Sequence, residues 1–222
     1  MKRLLFIITF CTVYFLSYGQ KKVYTTTEME MVFSWANVRL NGVDANSVLR
    51  FTPFFNYQNF VNFDQSESFG LYTGLGFRNV GFIYDIPGTN MRKKARNYYL
   101  GIPVGFKFGK LDKTYFYGGY ELELPFVYKE KTFVNEEKTD KYTVWFSSRS
   151  AIQNTLMVGI QFPYGTNIKF KYYLNNFYKK SYTETDENGN TVQPYAKFDA
   201  SMFYISLNFK LFRNVDFYYT NL

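Results

Sequence analysis

From Asn97 to Gly109 the chain alternates between two classes of side chain without a break. Tyr98, Leu100, Ile102, Val104, Phe106 and Phe108 share one face of an extended strand, and Asn97, Tyr99, Gly101, Pro103, Gly105, Lys107 and Gly109 share the other. Successive side chains on a strand point to opposite sides, so the period of two is a strand signal. An apolar row with an aromatic near each end, backed by small and polar groups, suits a strand with lipid on one side and a lumen on the other.

The same frame predicts seven more strands. Residues 28–37 set Met29, Met31, Phe33 and Trp35 against Glu28, Glu30, Val32, Ser34 and Ala36. Residues 49–58 set Leu49, Phe51, Pro53, Phe55 and Tyr57 against Arg50, Thr52, Phe54, Asn56 and Gln58, with Pro53 marking a bulge because it has no ladder donor. Runs over 69–78, 115–126, 152–162, 168–175 and 203–211 alternate in the same way. The third carries Gly70, Gly74 and Gly76 on its polar face, which leaves room for bulky neighbours in a narrow barrel.

The connections differ in length. Those after the second, fourth and sixth strands are short turns, at 64–68, 109–113 and 163–166. The others are longer: Asn41 to Ser47, more than a minimal hairpin despite its Asn41-Gly42 turn signal; Asp85 to Arg96; Lys129 to Arg149; and Lys179 to Lys197, with Asn188-Gly189 at a hairpin tip. Short turns on the periplasmic side and long loops outside are the rule for outer-membrane barrels with both ends in the periplasm. The expected fold is therefore all-β, an eight-stranded antiparallel up-and-down transmembrane β-barrel. The tail Arg213 to Leu222 runs past the last predicted strand and receives no assignment.

The first residues add a destination. Met1-Lys2-Arg3, an apolar run from Leu4 to Leu16 and then Ser17-Tyr18-Gly19 describe a secretory signal peptide, too short for a spanning helix. Cleavage after Gly19 gives a signal peptide at 1–19 and a barrel domain at 20–222. Cys11, the one cysteine, falls in the signal, so the mature chain is read without disulfides or thiol chemistry. Mean hydropathy is slightly negative, as expected when half of each strand faces a polar lumen. Aromatic residues at 23% exceed what an ordinary core needs and suit interfacial girdles.

Tyr99-Leu100-Gly101-Ile102-Pro103 with Lys107 four residues on, followed by Tyr115 to Tyr120 (YFYGGY), resembles the Bacteroidetes outer-membrane β-barrel domain family, which includes the PorT-like proteins. A strand of the form YLxIPLxxK followed by a Gly-rich strand is usual there. The resemblance implies location and fold. It implies no activity and no secretion role.

The chemistry is bounded mainly by what is missing. There is no histidine, which removes the usual general base of membrane barrel enzymes, and with no mature cysteine the ordinary zinc, copper and haem sites go as well. Neither cofactor, catalytic residue nor metal ligand is expected. Glu121 and Glu123 share one face and resemble an acid/base pair, but the expectation is a lumen charge network: Glu28, Glu30, Glu121 and Glu123 against Arg50, Arg78, Lys107, Lys169, Lys171 and Lys210. Asp186 to Asn190 resembles the start of a calcium loop, yet Thr191 and Lys197 occupy the positions that need Gly and Glu. Arg92, Lys93, Lys94 and Arg96 form a candidate anion-binding surface loop for lipopolysaccharide phosphates.

Taken together these features describe a non-enzymatic outer-membrane protein of a Gram-negative cell, a structural or surface-binding barrel with a filled lumen. Its expected partners are outer-membrane lipid and lipopolysaccharide, together with an unidentified protein, and not nucleic acid. A narrow pore or transporter for small solutes and a soluble periplasmic lipocalin-like ligand binder are the alternatives. N-terminal sequencing of the exported protein is expected to begin at Gln20; a chain that retains Met1 to Gly19 in the cell envelope contradicts the signal-peptide reading.

Overall fold

The structure, a computed structural model, describes residues 22–186 and 188–217; the expected signal segment 1–19 and the end of the tail, 218–222, lie outside them. Eight long strands run antiparallel: β1 (Lys22–Leu40), β2 (Tyr57–Asp64), β3 (Phe69–Asp85), β4 (Met91–Gly109), β5 (Tyr115–Val134), β6 (Gln153–Gln161), β7 (Thr166–Tyr173) and β8 (Phe198–Phe217). Each pairs with the next in sequence, and β8 returns to β1 in a register from Val23 opposite Phe217 to Leu40 opposite Phe198. The sheet therefore closes into an up-and-down barrel, and closure removes the edges. The tail residues Arg213 to Phe217 continue β8 along β1.

The alternation assigns the faces. Leu100, Ile102, Val104, Phe106 and Phe108 are exposed on the outside, as are Leu71, Leu75, Phe116, Leu156, Val158, Ile168, Phe170 and Ile205. Glu30, Tyr99, Glu121, Thr155, Lys169, Lys171 and Ser206 are buried inside. Apolar rows facing out and polar rows facing in is the reverse of a lipocalin, which overturns the lipocalin-like alternative. Inside, small residues make room for large ones: a Cβ on Gly105 would strike the Tyr72 ring, one on Gly119 the Val104 carbonyl and the Tyr72 hydroxyl, and one on Gly101 the Glu121 carboxylate.

Several expectations about local structure need correction. Asn41 and Gly42 both have positive φ (51° and 84°), with Leu40 opposite Val43. That is a two-residue hairpin turn of the kind Asn-Gly favours, so the connection is minimal after all. The second stave then descends in pieces, Val43–Ala45, Ser47–Val48 and Arg50–Thr52, before β2. The chain leaves the ladder from Pro53 to Asn56, with Phe55 at φ 64°, and Phe54 points outward instead of into the lumen. Asn56 mends the gap: its amide donates to the carbonyls of Glu30, Thr52 and Phe54, its Oδ1 accepts from the Asn79 N–H at 2.8 Å, and its carbonyl accepts from Glu30 N–H.

Two segments expected as loops are sheet. Met91 to Arg96 belongs to β4, leaving only Ile86 to Asn90 as the turn, and Lys129 to Val134 belongs to β5, which Glu137–Trp145 pairs on its return. β5 bulges at Phe126, since Tyr98 faces Val127 while Tyr99 faces Pro125. Near the mouth of the barrel the segment between β7 and β8 folds inward. Phe177 packs edge-on against Phe82, and Tyr178 stacks on Tyr195 with ring centroids 4.0 Å apart. Together with Tyr84, Tyr99, Tyr128, Phe198 and Tyr204 these rings form one buried aromatic cluster at the long-loop end.

Candidate functional site

Arg78 stands at the centre of the lumen. β3 carries it inward because it lies in the same alternating row as Tyr72 and Gly76, and it is 1% exposed. Its Nε donates to Glu30 Oε2 at 2.9 Å, one terminal nitrogen reaches both Glu121 and Glu123, and the other donates to Gln58 Oε1 at 2.7 Å. Lys171 donates to Glu121 Oε2 at 2.7 Å and to Glu123, while Lys169 pairs with Glu30 Oε1 at 3.0 Å and donates to Gln58 Oε1 at 3.0 Å. Three carboxylates and three cations from β1, β3, β5 and β7 thus close on one another across the barrel. Buried charges are stable only when paired and hydrogen-bonded, and here each ion has two or more oppositely charged or amide partners.

The remaining residues expected in the network lie elsewhere. Lys107 forms a second cluster toward the short-turn end, bonding Asp64 at 2.5 Å, Asn62 at 3.1 Å and the Tyr24 hydroxyl at 3.0 Å. Glu28 accepts from the amides of Gln58 and Asn167 at 2.9 and 3.0 Å. Arg50 stays in the wall, where it donates to the backbone carbonyl of Asn79 and to its Oδ1 and so fills the gap between the second stave and β3. Lys210 is half-buried near the short-turn end, 5.9 Å from the centre of the Tyr115 ring. Asp64 and Gln58 are the members that sequence reasoning missed as partners. The alternation continued past Gln58 through Phe60 and Asn62 reaches Asp64, the first residue of the short turn expected at 64–68.

Between the two clusters a cavity of about 20 Å³, lined by Glu28, Tyr72, Tyr117 and Asn167 among others, has room for a single water. Glu121 and Glu123 are both held by Arg78 and Lys171, so neither is an unengaged carboxylate facing open space. The candidate anion loop is a strand whose side chains part to two faces: Arg92, Lys94 and Arg96 lie on the outer face, and Arg92 pairs with Asp85 at 2.7 Å. Lys93 turns inward to Glu130 at 2.8 Å.

No family model matches the chain, and no curated protein matches it, so its likeness to the Bacteroidetes barrel family rests on the motif residues alone. Among solved structures, the chain is similar to Ail, the attachment invasion locus protein of Yersinia pestis, in complex with the heparin analogue sucrose octasulfate (9% identity, TM-score 0.38, covering 86% of this chain and 99% of that one). It is also similar to the outer membrane protein OprG from Pseudomonas aeruginosa (11% identity, TM-score 0.38, 88% and 99%). A third is Neisserial surface protein A (9% identity, TM-score 0.36, 85% and 97%). Likeness at this level conveys no role.

Replacing Arg78 by Met would leave Glu30, Glu121 and Glu123 facing two lysines in a closed space. The expected cost is about 3–5 kcal/mol of stability, read as a lower urea midpoint for the barrel folded in detergent micelles. Adding Glu121→Gln is expected to recover part of it. A midpoint unchanged by Arg78→Met contradicts the central position of this ion.

Proposed function

We propose that the chain is a small outer-membrane barrel that acts without catalysis, as a membrane-anchored structural or surface-binding protein whose lumen is filled by its own side chains. The observation that carries this reading is the double closure of the lumen. The Arg78 network spans the middle, and the aromatic cluster around Tyr178 closes the long-loop end. A conducting path would need polar groups free to exchange partners with a solute, whereas the lumen ions engage one another. An acid/base site would need a carboxylate within reach of a substrate, and Glu121 and Glu123 meet only fixed cations. What remains open to the surroundings is the outside: an apolar belt for lipid, and the strand extensions above it.

Outer-membrane residence is supported by the exposed belt itself. Leu100, Ile102, Val104, Phe106, Phe116, Leu156, Val158, Ile168 and Phe170 form neighbouring rows on consecutive strands, far more contiguous apolar surface than a water-soluble protein tolerates.

Reconstituted wild-type protein in planar bilayers is expected to give no single-channel steps, while in the same preparation unheated and heated samples migrate differently on a detergent gel, as closed membrane barrels do. Stepwise conductance that changes when Glu121 or Lys169 is neutralised would establish the pore reading in its place.

A further inference from the structure

Above the belt, β3, β4, β5 and the returning strand Glu137–Trp145 continue side by side in one sheet, with Asp85 of β3 opposite Arg92 of β4. The register places their outer-face side chains. Arg92, Lys94 and Arg96 come from β4, Lys129 and Lys131 from β5, and Lys138 and Lys141 from the return strand, with Arg96 opposite Lys129, Lys94 opposite Lys131, and Lys131 opposite Lys141. Arg92 is answered by Asp85 of β3 at 2.7 Å, whereas no carboxylate shares the outward row positions of Lys94, Arg96, Lys129, Lys131, Lys138 or Lys141. Like charges directly opposite across strands are destabilising, so this arrangement costs stability when nothing anionic is bound. Burial together with surrounding cations lowers the Lys94 and Lys131 ammonium groups from the ordinary lysine value, with Arg96 acting on both.

The position of the ladder identifies what it meets. Directly below it, Phe77, Tyr98, Phe126, Trp145 and Phe146 form a chain of ring contacts with centroids 5.5 to 6.5 Å apart on the outer face. Such a girdle marks the boundary between hydrocarbon and headgroups. Arg96 and Lys129 reach back over the Tyr98 ring at 5.8 and 4.9 Å. At about 3.3 Å per residue, Arg96 stands about 7 Å and Arg92 about 20 Å above Tyr98 along the strand. The cations therefore begin at headgroup level and extend outward through the depth of a sugar-bearing headgroup. At the top, a cleft of about 700 Å³ on this face is lined by Arg92 and Lys94 together with the Asp85 and Glu136 carboxylates, with Ile83 and Phe133 as an apolar floor.

We propose that this outer-face ladder is a binding site for phosphorylated glycolipid headgroups of the surrounding leaflet, with Arg96, Lys94 and Lys131 pairing the phosphates and the Arg92 cleft taking the adjoining sugar. It rests on the outer-membrane reading above, because the ladder meets headgroups only if the belt lies in lipid. Six cations in fixed rows on a sheet, with Arg92 beside them paired to Asp85, suit the fixed phosphates of a lipid A-type headgroup. The sequence run at 92–96 supplied less than half of the ladder; the rest came from strands paired beside it.

The test compares full-length protein in nanodiscs of phosphatidylcholine doped with lipid A, and measures co-retained lipid A by mass spectrometry after extraction into detergent. Wild type is expected to retain lipid A in preference to its dephosphorylated form, and retention should fall with salt. Lys94→Gln/Arg96→Gln/Lys131→Gln is expected to weaken retention about 100-fold, while Lys110→Gln/Lys113→Gln/Lys197→Gln, with the same change in charge at exposed positions away from the ladder, leaves it unchanged. Equal retention by the ladder variant, or equal retention of dephosphorylated lipid A, overturns the site. Heat-dependent gel mobility is read on each sample: a wild type that shows no shift contradicts the membrane-barrel reading itself, whereas a shifted ladder variant with undiminished retention contradicts only the site.

Discussion

The ion pairing of Arg78 with Glu30, Glu121 and Glu123 is the interaction on which the rest of the barrel depends. A chain whose apolar rows face outward has to build its interior from polar side chains, and an eight-stranded barrel is too narrow to hydrate them freely. Each must find its partner in the wall opposite. The solution here is layered, with Lys107 and Asp64 toward the short-turn end, the Arg78 network in the middle and rings toward the mouth. The same demand explains the small inward residues. Gly76 and Gly101 leave the volume that the Arg78 guanidinium and the Glu121 carboxylate occupy.

With the interior closed, the proposed surface-binding role falls to the exterior. The lumen ions engage one another and the mouth is packed with rings, so the features left for a partner are the belt and the extensions of β4, β5 and the return strand. There, apart from the Arg92–Asp85 pair, the chemistry is of one sign. The Lys and Arg residues that give the chain its excess of positive charge are balanced inside the barrel and unbalanced on that face, which is the reverse of what a uniformly solvated surface would show.

Much of this was legible in the sequence, and the limits follow from physics. Where a strand crosses the belt, one face is apolar and the other polar, and the alternation places Met29, Ile102, Val158 and Ile205 outside and Glu30, Glu121, Lys169 and Ser206 inside. Above the belt both faces are polar, so Met91 to Arg96, Lys129 to Val134 and Glu137 to Trp145 read as loops although they are paired strand. At Pro53 to Asn56 the frame fails for another reason. Phe54 and Phe55 are adjacent apolar residues in a stretch that leaves the ladder, and the Asn56 side chain, not a strand partner, satisfies the backbone. The inward ions could be named from alternation, but which ion meets which depends on the stagger of strands far apart in sequence. Alternation alone therefore does not identify Asp64 as the partner of Lys107, and it places Arg50 in a network that it does not join.

Both tryptophans, Trp35 and Trp145, lie on the outer face of the barrel, and Trp145 is 65% exposed. Their fluorescence in the unmodified protein, reconstituted in bilayers with and without brominated acyl chains, tests the orientation of every face at once. The account predicts strong quenching by the brominated lipid, because the apolar rows and their girdle face the hydrocarbon. Fluorescence indifferent to bromination would contradict it and turn the barrel inside out.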